Sequence, residues 1–150
     1  MAQFLLRLMT QTDLLPTFLM RNDAEVCRFA QIPNPISWNE HEAMFKYTDF
    51  PKFVYVGPHV IGYVEFRHDI YNDDPTVKIW AFMIDALYRG AGLSEPMLKA
   101  GLEEVKKLGV KKVWGIVKKD NPVSIHLHKK LNGVILKEDD ENYTFELTLS

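Results

Sequence analysis

WAFMIDALYRGAGLSEPMLKAGLEEVKKL, residues 80–108, is the stretch on which the reading of this chain turns. Its first five residues, Trp80 to Ile84, form an apolar run with the length of a buried strand. Apolar residues at Leu98, Leu102 and Val105 then recur at the spacing of one helix face. Between the two lies Arg89-Gly90-Ala91-Gly92. Strand, glycine loop and helix in succession make an anion cradle. Glycines let backbone N–H groups approach an anion closely, and the helix start adds unpaired N–H groups at the positive end of its dipole. Arg89 adds charge-assisted hydrogen bonds. The plainer alternative is a strand-to-helix turn whose glycines supply positive φ. There is no Gly-Lys-Ser/Thr, so the loop is not a P-loop, and the glycines do not follow Gly-x-Gly-x-x-Gly, which argues against a dinucleotide fold.

Upstream of this unit, Gln3 to Met9 reads as a strand, and Thr10 or Thr12 caps a helix to about Met20, with Pro16 in its first turn. Asn22 or Asp23 starts a short second helix around Cys27, whose apolar neighbours predict a buried, inert thiol. Ser37 and Glu40 make a capping box for a third helix to about Tyr47. Lys52 to Val56 and Val60 to Arg67 form a hairpin across Gly57-Pro58-His59, and Thr76 to Ile84 is the next strand. Downstream, Gly109 is a helix C-cap, Lys112 to Val117 is a strand, and Asn121-Pro122 starts a helix that ends near Asn132-Gly133. Val134 to Lys137 and Tyr143 to Leu149 close the chain as a hairpin. A three-strand meander thus feeds a βαβ unit. The expected architecture is α/β: one domain over residues 1–150, with a mixed, mostly antiparallel sheet of about seven strands flanked by helices.

Composition bounds the function. The 150 residues are 47% hydrophobic and 25% charged with a net charge of −2, which suits a folded chain and gives no general pull toward nucleic acid or anionic membrane. One cysteine rules out an internal disulfide framework and a four-cysteine zinc site. The first ten residues, broken by Arg7, are too short an apolar run for a signal peptide or a membrane span, so a cytoplasmic protein is expected.

Arg89, Gly92 and Ser94, set between a strand and a helix, resemble the pyrophosphate loop of the GNAT superfamily of acyl-CoA N-acyltransferases, Arg/Gln-x-x-Gly-x-Gly/Ala, with Ser94 in place of the last small residue. Asn121, Ser124, Leu127 and Lys130 are similar to that family's late-helix motif, and the element order matches over nearly the whole chain. Leu19 to Val26 and Ile36 to His41 resemble a branch acetylating nucleotide-linked amino sugars, ribosomal-protein amino termini and polyamines, with Met20 where Trp is usual. The resemblance implies acetyl-CoA as co-substrate and no metal. It places the cofactor on Arg89, Gly90, Ala91, Gly92, Leu93 and Ser94, with Asn121, Ser124 and His128 assisting. The backbone of Phe82, Met83 and Ile84 would hold the pantetheine arm and supply an oxyanion donor at a fourth strand splayed from the fifth.

Acyl transfer to an amine also needs a base, and the departing thiolate gains from an acid. The family's late-helix tyrosine position falls on His128. Ser124, Leu127, His128 and Leu131 share one helical stripe, so His128 faces inward and His126 faces water. His128 is therefore the candidate acid, with a packed, non-chemical histidine as the alternative. The fourth strand has no carboxylate, so the candidate bases are Glu65 and His68, then Asp85, with a water chain as the alternative. Asp69, Asp73 and Asp74 are either an attractor for a cationic acceptor or a solvated loop, and Tyr71 and Trp38 have the rings to stack on one. The expected function is N-acetylation of a small-molecule primary amine by a monomer or homodimer. A CoA-binding module without catalysis is the rival.

Overall fold

Strand β4, Val77–Ile84, lies near the middle of a seven-stranded sheet and decides its shape. A computed structural model describes residues 3–47, 50–69 and 72–150. The other strands are β1 (Leu5–Leu8), β2 (Lys52–Val56), β3 (Val60–His68), β5 (Lys112–Lys118), β6 (Val134–Glu138) and β7 (Asn142–Thr148). Their order is β1-β2-β3-β4-β5-β7-β6, with every neighbouring pair antiparallel except β4 and β5. This is the mixed, mostly antiparallel sheet expected from the sequence. The helices are α1 (Leu14–Arg21), α2 (Ala24–Phe29), α3 (Trp38–Lys46), α4 (Ser94–Lys107) and α5 (Pro122–Lys130).

Local signals start these helices. The Asp23 carboxylate accepts from the N–H groups of Glu25 and Val26 at the head of α2. Ser37 and Glu40 form the reciprocal capping box of α3, each bond 3.1 Å. Asn121 accepts from Ser124 N–H at 3.2 Å with Pro122 in the first turn of α5. Thr10 differs from expectation: it opens a 3-10 turn, Gln11–Asp13, which leads into α1 rather than starting that helix itself.

The sheet has two apolar faces. On one, Phe53, Val64, Phe66, Trp80, Val113 and Phe145 pack under Met97, Leu98 and Val105 of α4 and Leu127 of α5. On the other, Val54 and Tyr63 pack with Met9 and Leu14, flanked by Phe45 and Met83. Burying each such side chain contributes about 1.5–3 kcal/mol.

Strands β4 and β5 pair only over Val77–Lys112, Lys78–Val113 and Ile79–Trp114. Beyond that β4 runs to Ile84 beside β3, and β5 runs to Lys118 beside β7, so the two part in a V. The β3–β4 register is unbroken from Gly62–Ile84 to His68–Lys78, so backbone direction alternates regularly along β4. Asp85 N–H donates to Ile61 on the β3 side, whereas Thr76 C=O accepts from Lys111 and Lys112 on the β5 side. Alternation therefore turns the backbone groups of Trp80, Phe82 and Ile84 toward the open V, and those of Ala81 and Met83 toward β3.

Candidate active site

A cleft of about 1190 Å³ occupies the V. Its walls are the open edge of Trp80 to Ile84, residues Gly115 to Val117 of β5, the glycine loop, the start of α5, and on the other side β3 with parts of α2 and α3.

At the vertex, three groups from three elements meet. Trp80 and Gly115 each follow the last β4–β5 pair, and His128 of α5 lies over both. Trp80 Nε1–H donates to His128 Nε2 at 3.1 Å, and His128 Nδ1 lies 2.8 Å from the Ser124 carbonyl. An indole N–H can only donate and a carbonyl can only accept, so Nδ1 carries the proton and Nε2 is the acceptor. The imidazole is 1% exposed, and Phe145 stacks on it at 5.1 Å. Burial lowers its pKa, with the Ser124 carbonyl opposing. His128 is thus inward-facing and neutral, with both ring nitrogens occupied, while His126 is exposed as expected. A side chain at Gly115 would collide with His128 Nε2 and reach within 2.7 Å of Trp80 Nε1. The sequence reading placed Trp80 and Gly115 on strands and gave neither a role in the site. The available signal was a glycine inside a strand pattern, which marks close approach of other groups.

In the glycine loop, Gly90 and Gly92 have φ of 79° and 74°, and an added Cβ at either would meet nothing within 4 Å. Glycine is needed there for backbone conformation, not for room. Gly90, Gly92, Leu93 and Ser94 line the cleft, whereas Ala91 does not, and its N–H donates to Tyr88. Helix α4 begins at Ser94 with no side chain capping it, so its first N–H groups face the loop. Arg89 lines the cleft but is tied to α2, with Asp23 at 2.8 Å and Glu25 at 3.1 Å. The Arg89 guanidinium holds the Asp23 carboxyl below its usual pKa. Asn121 and Ser124 also line the cleft, although the Asn121 side chain already caps α5.

Across the V, Glu65 is 6% exposed and lines the cleft. Its Oε2 accepts from Lys52 Nζ and from the Tyr63 hydroxyl, each at 2.9 Å. Burial and then the Glu65 charge raise the Tyr63 pKa well above its ordinary value, so this phenol stays protonated. His41 reaches the same wall from α3. Thr17 donates its hydroxyl to the Asp13 carbonyl at 2.8 Å, so its Oγ1 accepts from His41 Nε2 at 2.9 Å. Burial lowers the His41 pKa. Lys52, Tyr63 and His41 were not anticipated. Lys52 and Glu65 are brought opposite each other by strand register alone.

Two candidate bases are displaced. His68 is exposed at the far end of β3, opposite Lys78, and is not among the cleft-lining residues. It stands three residues beyond Glu65 on an alternating strand, so it faces away from Glu65's side. Asp85 accepts from Leu87 N–H at 3.0 Å and caps a 3-10 turn. Asp74 likewise caps its own loop through Thr76. Asp69, Asp73, Asp74 and Trp38 lie off the cleft, and Trp38 packs edge-on against Phe18 at 5.3 Å. Tyr71 lies outside the described residues. Among the described residues no group of three or more His, Cys, Asp or Glu could hold a metal ion, and no helix is long and apolar enough to cross a membrane.

Residues 3–134 match the family described as Acetyltransferase (GNAT) domain. A mycothiol acetyltransferase of Corynebacterium glutamicum (strain R) is 26% identical over 106 residues, 66% of this chain and 35% of that protein, so the chain spans about a third of that relative's length. The fold is similar to that of an N-acetyltransferase from Staphylococcus aureus Mu50, with TM-score 0.83, 23% identity and 99% of each chain covered. It is also similar to spermidine N-acetyltransferase from Vibrio cholerae in complex with CoA and spermine, with TM-score 0.82, 18% identity, and 97% of this chain and 95% of that chain covered.

Proposed function

The chain belongs to the GNAT acetyltransferase domain family, and from that premise we propose that it moves an acetyl group from acetyl-CoA to the primary amine of a small molecule, with both substrates in the cleft together. The observation that carries this reading is the open edge of β4, a strand edge with free backbone donors at the vertex of a large cleft. An extended amide-bearing arm can add to such an edge as a further strand does. The Gly90–Ser94 backbone and the start of α4 suit the diphosphate at its far end.

The residues then have distinct tasks. Phe82 N–H is the donor aimed at the carbonyl oxygen on which negative charge develops, a contribution typically of about 3–4 kcal/mol. Glu65 receives the acceptor's ammonium and takes its proton. Glu65 then passes that proton on to water, with Lys52 Nζ held 2.9 Å from its carboxylate. The neutral nitrogen forms the new C–N bond as the C–S bond breaks, the acylated nitrogen gives up its second proton to water, and the thiolate is protonated from solvent. His128 serves as a brace for the vertex rather than as the acid, because neither ring nitrogen has a proton to offer toward the cleft. The front-end segment Leu19 to Val26 resembles a branch that acetylates nucleotide-linked amino sugars, protein amino termini and polyamines, and of these we place an amine on a nucleotide-linked sugar narrowly first.

Calorimetric titration with acetyl-CoA, using dephospho-CoA and NAD as controls, tests the reading. Micromolar binding, about −8 kcal/mol, followed by CoA release with an amine panel supports it. Binding without turnover over a broad panel favours a CoA-binding module, and absence of binding removes the acyltransferase reading.

A further inference from the structure

Resting on that acetyl-transfer reading, we propose that the acceptor carries an anionic group, a carboxylate or a phosphate, a few bonds from its amine, and that Arg67 binds it. Glu65 and Arg67 are two residues apart on β3, so both project from the same side of the strand, and both line the cleft. Two residues of strand separate their Cα atoms by about 7 Å. Their register partners fix where they stand: Glu65 lies opposite Ala81, the second residue of the open stretch of β4, and Arg67 lies opposite Ile79, the last residue paired to β5. A carboxylate and a guanidinium therefore stand side by side across the vertex.

The charge around them is not balanced. The whole chain is net −2, yet this wall of the cleft sets Arg21, Arg28, Lys52 and Arg67 against Glu25, Glu40 and Glu65. Lys52 neutralises Glu65 in a buried pair. Arg67 is exposed, and among the described residues no carboxylate pairs with it. Arg21, also on the cleft, donates to the Ile32 and Asn34 carbonyls at 2.9 and 3.4 Å and to Cys27 Sγ, all neutral acceptors. The carboxylate Arg21 influences, Glu40, accepts from Ser37 N–H. By contrast, the arginine of the glycine loop has two carboxylates of its own.

A purely cationic acceptor with one ammonium on Glu65 would bring its further charges up to Arg67. An amine with a nearby anion puts its ammonium on Glu65 and its anion on the Arg67 fork, which suits planar carboxylate and phosphate oxygens alike.

The test measures amine binding to the CoA-loaded protein by calorimetry, with matched probes: 4-aminobutyrate against its amide, glucosamine 6-phosphate against glucosamine, and spermidine as the cationic control. The anionic member of at least one pair should bind about tenfold more tightly than its neutral counterpart, and the pair that responds tells carboxylate from phosphate. Arg67→Ala should abolish that preference with CoA affinity unchanged, and Arg67→Lys should keep part of it. A preference absent from both pairs, a preference that survives Arg67→Ala, or tighter binding of spermidine would overturn the proposal. Loss of CoA binding by the unaltered protein would instead overturn the acetyl-transfer reading on which it rests.

Discussion

Gly115→Ala tests whether the Trp80–His128 contact sets the vertex of the V. The new methyl would fall on His128 Nε2 and 2.7 Å from Trp80 Nε1, where carbon contacts settle near 3.5–4.0 Å. Neither neighbour is a flexible chain end. Both are rings, held by Phe145 at 5.1 Å and by Phe82 at 5.8 and 5.3 Å. Relief therefore requires α5 or β4 to move as a body. Overpacking of this kind costs about 1–3 kcal/mol. Parting the indole N–H from Nε2 strands a buried donor and acceptor, which costs a further ~1–3 kcal/mol. The expected loss is roughly 4 kcal/mol, or about 8–16 °C in Tm for a chain of this size. Urea unfolding followed by both circular dichroism and tryptophan fluorescence gives the value directly, with an unchanged m showing that the change lies in stability. Acetyl-CoA affinity, measured well below the lowered midpoint, should fall as well, because the open β4 edge starts at Trp80. A loss under 1 kcal/mol with affinity intact would refute the reasoning: the vertex would then be soft, and the hydrogen bond incidental.

Other outcomes follow from the same geometry. Burial lowers the pKa of His128 and of His41 below 6.5, so between those folded values and 6.5 the unfolded chain binds protons that the native chain does not. Their stabilising contribution is whole above pH 6.5 and is lost as the pH falls through the folded pKa values; urea midpoints that stay flat from pH 7.5 to 5 would contradict this. Glu65→Gln leaves the buried Lys52 charge uncompensated and should cost about 3–5 kcal/mol. Adding Lys52→Met should restore most of that stability in the same denaturation assay while leaving acetyl transfer impaired, and a fully active double variant would discharge Glu65 from its role. Arg89→Ala should weaken acetyl-CoA binding at least about tenfold and speed hydrogen exchange of the α2 amides that Asp23 caps. Unaltered affinity would leave Arg89 as a tie to α2 alone.

What the amino-acid sequence determined by itself is what short-range chemistry specifies. Asn121 with Pro122, Ser37 with Glu40, and Asp23 each announce a helix start because donor and acceptor lie within three residues of one another. The period-two and helical patterns set the element order, and with it a sheet whose fourth and fifth strands must be parallel and joined by α4. The glycine loop was legible for the same reason, since positive φ is a property of single residues. Tertiary structure decided the rest, because the partners are remote along the chain. Lys52 meets Glu65 across 13 residues, Trp80 meets His128 across 48, and Arg89 meets Asp23 across 66. Which of Glu65 and His68 reaches the cleft depended on which face of β3 covers it, and that is set by packing of the whole sheet. Whether His128 has a proton to give depended on an indole contributed by another strand. Local pattern placed that histidine inward, and the arrival of Trp80 over Gly115 fixed its tautomer.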